Sequence, residues 1–298
     1  MKDLNPYPFV KWAGGKRQLL PEINKNLPEE LLNNQIEKYI EPFVGGGAVL
    51  FDLVSKYKFK EIIINDYNED LINLYKDIQK NVDSLIEKLS EISEEYLRRD
   101  DENRKAYYYK IRSLYNEPTD DQILKSAYFI FLNRTCFNGL YRVNSKGQFN
   151  VPYGRYKNPT ILDENNLRNV SNVLKNVTIL KGDFFNVKDY VDDKTFVYFD
   201  PPYRPLNKTS NFTSYSNNDF NDDEQKRLGR FFHELNDRRA KLLLSNSDPK
   251  NVNIKDNFFE DLYPKSEGFN IIRVNAKRII NSNSNGRGNI TELLIKNY

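Results

Sequence analysis

The sequence predicts an open α/β fold of the nucleotide-binding kind, interrupted by a helical insertion that ends in a β-hairpin. Three observations predict it. Short β-branched and aromatic runs end in acids or in turn residues, as buried strands of an α/β sheet do. A glycine-rich turn, Gly45-Gly46-Gly47, stands between one such run and a helical pattern. Between residues 70 and 134 the strand–helix alternation stops and helical spacing takes over, which is how an insertion reads in an α/β chain.

In chain order, Pro8-Phe9-Val10-Lys11-Trp12-Ala13-Gly14-Gly15-Lys16-Arg17 comes first. A glycine pair, a cation and then helix-like spacing suggest a tight loop opening a helix, suited to polar or anionic ligands. It lacks the Gly-x-x-x-x-Gly-Lys-Ser/Thr order of a P-loop. Trp12, the single tryptophan, suits either the core or a ligand platform. Lys38-Tyr39-Ile40-Glu41-Pro42-Phe43-Val44 then leads to the glycine turn, with a helix expected from Ala48 to about Lys56. A second strand, Glu61-Ile62-Ile63-Ile64-Asn65, ends in Asp66. An acid about 20 residues after such glycines commonly accepts from ribose hydroxyls, or else caps the next helix.

The insertion carries apolar residues at helical spacing: Leu71, Leu74, Tyr75 and Ile78, then Leu85, Ile86 and Leu89, then Ile123, Ala127, Ile130 and Phe131. At its end, runs at 140–143 and 148–151 flank Asn144-Ser145-Lys146-Gly147, a hairpin signature. Around the hairpin, Arg134, Arg142, Lys146, Arg155 and Lys157 interleave with Phe137, Tyr141, Phe149, Tyr153 and Tyr156. Cations among rings suit phosphate contact with base stacking or groove insertion.

The α/β pattern then resumes. Val177-Thr178-Ile179-Leu180 runs into Lys181-Gly182-Asp183-Phe184, where an acid and a ring could clasp an adenine. Thr195-Phe196-Val197-Tyr198-Phe199 ends in Asp200-Pro201-Pro202-Tyr203. The prolines end ladder pairing and stiffen the backbone, so a carboxylate, a carbonyl and a ring are presented together at a strand's C-terminal edge. Open α/β sheets keep their ligands at that edge, although a bare strand ending in a proline turn reads the same way. A polar loop at 205–221, a helix at 222–236, the strand Lys241-Leu242-Leu243-Leu244-Ser245-Asn246 and a strand pair at 271–274 and 292–295 complete the chain. The cationic stretch 275–288, with Lys277 and Arg278, suits phosphate gripping or plain solvation.

Composition narrows the class. The 298 residues are 39% hydrophobic and 29% charged, yet 13% aromatic, with 20 Tyr and 19 Phe, so the chain reads as globular. A net charge of +3 permits a polyanionic partner without demanding one. The lone Cys136 excludes an internal disulfide and fits a reducing compartment. The lone His233 leaves no Cys/His set for zinc, and its place in a helical stretch points to packing. Neither a signal peptide nor a membrane span is expected.

Several of these stretches together resemble the Dam/DpnM-type (D12 class) DNA N6-adenine methyltransferases, the GATC-specific subgroup included. The matching pieces are Lys11-Trp12-Ala13-Gly14-Gly15-Lys16, Glu41-Pro42-Phe43-Val44-Gly45-Gly46-Gly47, Asn65-Asp66, Phe137-Asn138-Gly139-Leu140-Tyr141-Arg142, Phe149-Asn150-Val151-Pro152-Tyr153-Gly154-Arg155-Tyr156, Gly182-Asp183-Phe184, Asp200-Pro201-Pro202-Tyr203 and the stretch 209–215. They occur in the family's order. The resemblance implies a Rossmann-like methyltransferase fold, with a discontinuous catalytic domain (1–69 and 163–298) and a target recognition domain (70–162). It implies S-adenosylmethionine, and no metal, held by Trp12, Ala13, Gly14, Lys16, Glu41, Phe43, Gly45, Gly47, Asp66, Asp183, Phe184 and Asp200. The target adenine would be flipped into the corner of Asp200, Pro201, Pro202 and Tyr203. Lys11, Leu140, Arg142, Pro152 and Tyr156 would read bases, with Arg134, Phe137, Asn138, Lys277 and Arg278 also on DNA. A cytoplasmic monomer or weak dimer is expected, alone or beside a cognate restriction endonuclease. The alternatives are methylation of cytosine N4 or of RNA, and nucleic-acid binding without turnover.

Overall fold

The computed structural model describes residues 5–206, 220–277 and 289–298. Within them the α/β reading holds. After one 3₁₀ turn at Lys16–Gln18, the elements are α1 (Leu20–Lys25), α2 (Glu29–Leu32), β1 (Lys38–Glu41), α3 (Ala48–Val54), β2 (Glu61–Asp66), α4 (Glu69–Lys80), α5 (Val82–Leu97), α6 (Asp101–Asn116), α7 (Gln122–Thr135) and α8 (Glu164–Leu174). There follow β3 (Val177–Lys181), β4 (Thr195–Phe199), α9 (Asp222–Asp237), β5 (Lys241–Ser247), α10 (Phe258–Leu262), β6 (Asn270–Lys277) and β7 (Asn289–Lys296).

The seven strands form one sheet in the order β3-β2-β1-β4-β5-β7-β6. Five are parallel, and β7 runs antiparallel to both β5 and β6. This is a Rossmann-like arrangement. Strand order reverses between β1 and β4, which pair through Lys38, Tyr39 and Ile40 against Thr195, Phe196 and Val197. A crevice opens at the C-terminal ends of strands at such a reversal, here just beyond Glu41 and Phe199.

Both faces of the sheet are covered, and successive strand residues alternate between them. Tyr39, Phe196, Tyr198, Leu243 and Leu294 join one buried cluster, whereas Ile40, Val197, Phe199, Leu242, Leu244 and Leu293 join the other. The strand period of two, with both faces apolar, explains why β4 is buried at all five positions. The first cluster continues through α4, α5, α6 and α7, taking in Leu71, Leu85, Tyr108 and Phe131. The helical segment thus shares a continuous core with the sheet. Three of these helices, α4, α6 and α7, begin at side-chain caps: Asn68 accepts from Leu71 N, Asp100 from Asn103 N and Asp121 from Leu124 N, each at 2.9 Å. Such caps satisfy N–H groups that helix geometry leaves open.

Two expectations change. The 140–151 stretch turns back as a hairpin, but not as paired strands. Its contacts are an isolated Val143–Phe149 bridge, Asn144 N to Gln148 O at 2.8 Å and Asn150 N to Arg142 O at 3.1 Å. Phe149 N instead donates to Asn116 Oδ1 of α6 (2.8 Å), so helix side chains take bonds that a ladder would have used. The 275–288 stretch also begins as strand and not as loop, because Asn275, Ala276 and Lys277 pair with Thr291, Ile290 and Asn289. Arg278 and the stretch 209–215 lie outside the described residues. Among the described residues, no helix is long and apolar enough to cross a membrane.

Candidate active site

Asp200 directly follows β4, at the strand-order reversal, and its surroundings come from four distant parts of the chain. The Lys16 ammonium lies 2.7 Å from Asp200 Oδ1 and donates to Gly14 O at 2.7 Å. It also sits 4.4 Å above the centroid of the Tyr203 ring. Ser245 on β5 donates to the same Asp200 oxygen at 3.1 Å and lies 3.0 Å from the Tyr198 hydroxyl. Tyr203 donates its hydroxyl to Glu292 Oε2 on β7, at 2.8 Å. Asp200 keeps 21% of its side-chain surface and Lys16 keeps 6%. Asp200 nonetheless lies at the floor of a cavity, so burial pushes its carboxyl above the ordinary aspartate value, against the pull of Lys16 and Ser245.

The two prolines sit in a rigid bracket. Gln225 on α9 donates to Pro202 O at 3.0 Å, and Asn246 donates to Gln225 Oε1 at 3.0 Å while accepting from Arg204 N at 3.0 Å. Arg204 is itself held by Asp222 (2.7 Å) and Asp256 (2.8 Å). Among the described residues nothing donates to Pro201 O. The corner therefore offers a carbonyl and the second Asp200 oxygen to an incoming donor.

The cavity of about 330 Å³ beside Asp200 is lined by Lys11, Trp12, Ala13, Gly14, Lys16, Arg17, Glu41, Gly45 and Arg134, among others. Glu41, at the end of β1, is buried and receives the Tyr39 hydroxyl. Burial, with the Asp200 charge nearby, pushes its carboxyl up to about 8. The glycine turn is required by packing. A side chain at Gly45, where φ is +49°, would put its Cβ 2.9 Å from Trp12 Cδ1, and at Gly46 3.1 Å from Trp12 Cβ. Trp12 is thus pressed on the turn while also packing against Phe129 and Tyr141 at 6.4 and 5.4 Å. It serves both as core and as cavity wall.

Phe43, Gly47, Asp66, Asp183 and Phe184 are outside that lining but adjoin it along the strand ends. Asp66 accepts from Gly45 N and Asn68 N, both at 2.9 Å, which makes it turn acceptor and helix-start acceptor at once; its carboxyl is raised by burial. Asn65 donates to Pro42 O and Gly182 O at 3.0 and 2.9 Å, tying the turns after β1 and β3 together. Phe43 and Phe184 meet at 5.4 Å. Asp183 is paired to Arg227 of α9 at 2.7 Å, and that guanidinium lies 4.7 Å from the Phe184 ring centre.

Of the expected DNA-reading residues, Lys11 lines the cavity and Tyr156 lies against that lysine. Lys11 is exposed and lies 4.7 Å over the Tyr156 ring. Its backbone is fixed by Asn133 of α7, whose Oδ1 accepts from Lys11 N (2.7 Å) and whose Nδ2 donates to Lys11 O (2.8 Å) and Gly139 O (3.1 Å). Phe137 is 50% exposed and Asn138 is exposed at φ +55°. Leu140 is half-buried; Pro152 is exposed and accepts from Phe137 N at 2.8 Å. Arg142 is exposed and donates Nε to Asn150 Oδ1 at 2.7 Å. Arg134, expected on DNA, is half-buried. It lines the cavity, donates to Phe9 O at 2.8 Å, and is desolvated enough to lower its pKa. The ring-rich texture is also partly packing, since Tyr141 and Phe149 are buried. Lys277 is the last residue of β6.

His233 packs as expected, 4.6 Å from the Phe269 ring, with Nε2 2.9 Å from Leu262 O. Cys136 is buried, which pushes its thiol up to about 12. Among the described residues no group of His, Cys, Asp and Glu is arranged to hold a metal ion. A larger surface cleft of about 470 Å³ near Gln79, Asp83, Arg168 and Lys175 lies away from the strand ends. Sequence reading missed Ser245, Glu292, Gln225, Arg227 and Asn133, which carry no short motif and reach the site only through sheet order and helix packing.

The D12 class N6 adenine-specific DNA methyltransferase family matches residues 12–280. A "Type II methyltransferase M.MjaIII" of Methanocaldococcus jannaschii is 59% identical over 294 residues, covering 98% of this chain and 99% of that protein. A "Type II methyltransferase M1.LlaDCHI" of Lactococcus lactis is 41% identical over 300 residues, covering 99% and 96%. A "DNA adenine methylase" of Haemophilus influenzae is 37% identical over 288 residues, covering 96% and 92%. With a family match over most of its length and relatives this similar across nearly their whole extent, the chain belongs to the D12 class N6 adenine-specific DNA methyltransferases.

Proposed function

We propose that this protein transfers a methyl group from S-adenosylmethionine to N6 of an adenine flipped out of double-stranded GATC. The observation that carries the reading is the corner of Asp200, Pro201 and Tyr203, which stands at a strand-order reversal beside a cavity of mixed charge. The donor set of that cavity fits the cofactor: Lys16 and Arg17 would hold an α-carboxylate, while Glu41 and Asp200 would face an ammonium and a sulfonium. Trp12, Ala13, Gly14, Gly45 and Gly47 would frame it, Asp66 would take the ribose, and Phe43, Asp183 and Phe184 the adenine. When bound, the cofactor supplies an already activated methyl group.

Adenine's exocyclic nitrogen is a weak nucleophile because its lone pair is delocalised into the ring. Asp200 and Pro201 O would each accept one of its N–H bonds, which localises the lone pair and aims it. Tyr203, its hydroxyl anchored on Glu292, would stack on the base and offset part of an unstacking cost of a few kcal/mol. Asp200 therefore works as a hydrogen-bond acceptor, a role its ionised form fills best.

Residues 70–162 would form the recognition domain. Lys11, Leu140, Arg142, Pro152 and Tyr156 read base pairs, Phe137 and Asn138 enter the stack or grip phosphate, and Lys277 and Arg278 add backbone contacts. The names of the two more similar relatives, both type II methyltransferases, support work beside a restriction endonuclease. Plasmid DNA incubated with protein and cofactor should become resistant to a GATC nuclease that is blocked by adenine methylation. Continued cutting after treatment with folded protein would refute the GATC assignment.

A further inference from the structure

Resting on that reading of the corner, the position of Lys16 carries a consequence for the order of binding. A target base must satisfy two conditions at once: an N–H directed at Asp200, and a ring lying on the Tyr203 face. The Lys16 ammonium already occupies both places, 2.7 Å from Asp200 Oδ1 and 4.4 Å over the Tyr203 centroid. It stands where the exocyclic amine would stand, and its N–H groups substitute for the amine's. Only 6% of the side chain is exposed, and the third contact, to Gly14 O at 2.7 Å, ties it to the loop that walls the cavity.

We propose that Lys16 closes the base-binding face of the corner until the cofactor occupies the cavity, so that cofactor entry precedes lodging of the base. The exchange follows from charge. A sulfonium brought beside Asp200 would put two cations on one carboxylate in a poorly hydrated site, where like charges repel strongly. An α-carboxylate in the same cavity offers Lys16 a new partner within reach of its flexible stem. Lys16 then leaves Asp200 and the Tyr203 face together, and both become available to the adenine. Lys16 is a positioning residue in this scheme, coupling two ligands through one movable charge.

The test is photo-crosslinking with a duplex bearing 5-iodouracil at the target position, with adducts mapped by peptide mass. DNA binding of each protein is checked by fluorescence anisotropy, and sinefungin serves as the non-reactive cofactor analogue. For the natural protein, sinefungin should raise the Tyr203 adduct by about tenfold. In Lys16→Met the adduct should form without sinefungin at the level the natural protein reaches with it, whereas Lys16→Arg should keep the dependence. A Tyr203 adduct indifferent to sinefungin in the natural protein would overturn the proposal and leave the base pocket intact. Natural dependence persisting in a DNA-binding Lys16→Met protein would overturn it as well. Adducts mapping away from Tyr203 with sinefungin present would instead remove the pocket reading, and the proposal with it.

Discussion

At the scale of single residues, the site turns on carboxyl groups held in poor solvent. Asp200→Ala should lower kcat by about 10²–10³-fold, the range for losing one group that acts on the reacting atoms, with DNA affinity by anisotropy little changed. Near-natural turnover would remove Asp200 from its role. Because ionised Asp200 is the stronger acceptor, and burial raises its pKa, activity should fall on acidification at a pH above the ordinary aspartate range. Glu41 gives a stability signature of definite sign. Unfolded, it ionises near the ordinary glutamate value; folded, it holds its proton to about pH 8. Stability from this group is therefore fully present below its unfolded pKa and is lost as pH rises toward 8. In Glu41→Gln, urea unfolding at pH 5.5 and pH 8 should differ less than in the natural protein, by about 1–3 kcal/mol. An unchanged difference would show that Glu41 titrates normally. The position of Asp200 was legible, since two prolines after an apolar run are a local signal. Its partners were not, because Ser245 and Glu292 are ordinary polar residues of distant strands, brought in by sheet order.

At the scale of elements, the glycine turn after β1 was legible in its place but not in its reason. Glycines there suggested close approach of a ligand, whereas the nearest neighbour of Gly45 is the Trp12 ring. Gly45→Ala should therefore act through Trp12. A Cβ at 2.9 Å and a backbone at φ +49° should cost about 1–3 kcal/mol in urea unfolding and weaken cofactor binding by calorimetry. Full stability would contradict the packing account. In the 140–151 segment, turn chemistry was legible, but the absent ladder was not, because Asn116 of α6 takes the Phe149 backbone. Aromatic count misled for a related reason: rings that pack the segment onto the helices look, in sequence, like rings offered to bases. Among the proposed readers, exposed Arg142, held by Asn150, gives the sharpest test. Arg142→Ala should reduce discrimination at one base pair by about 1–3 kcal/mol in kcat/KM across substituted sites; an unchanged preference would exclude it.

At the scale of the whole molecule, one topological fact places everything else. Reversal of strand order between β1 and β4 opens the crevice where the N-terminal loop, the glycine turn and the Asp200 corner meet. Strands were legible from composition and period, and five of them end near their expected residues. Their lateral order was not, since it depends on which helices cover which face. The helical segment shares the core of the sheet's first face, so reading residues and transfer residues are set on one continuous body. That continuity requires the readers and the corner to select the same base. Base-resolution sequencing of duplex DNA after incubation with the protein and S-adenosylmethionine tests this most directly. The account predicts N6-methyladenine at the adenine of GATC on both strands; methyl groups on cytosine, at adenines without a shared sequence, or on RNA alone would contradict it.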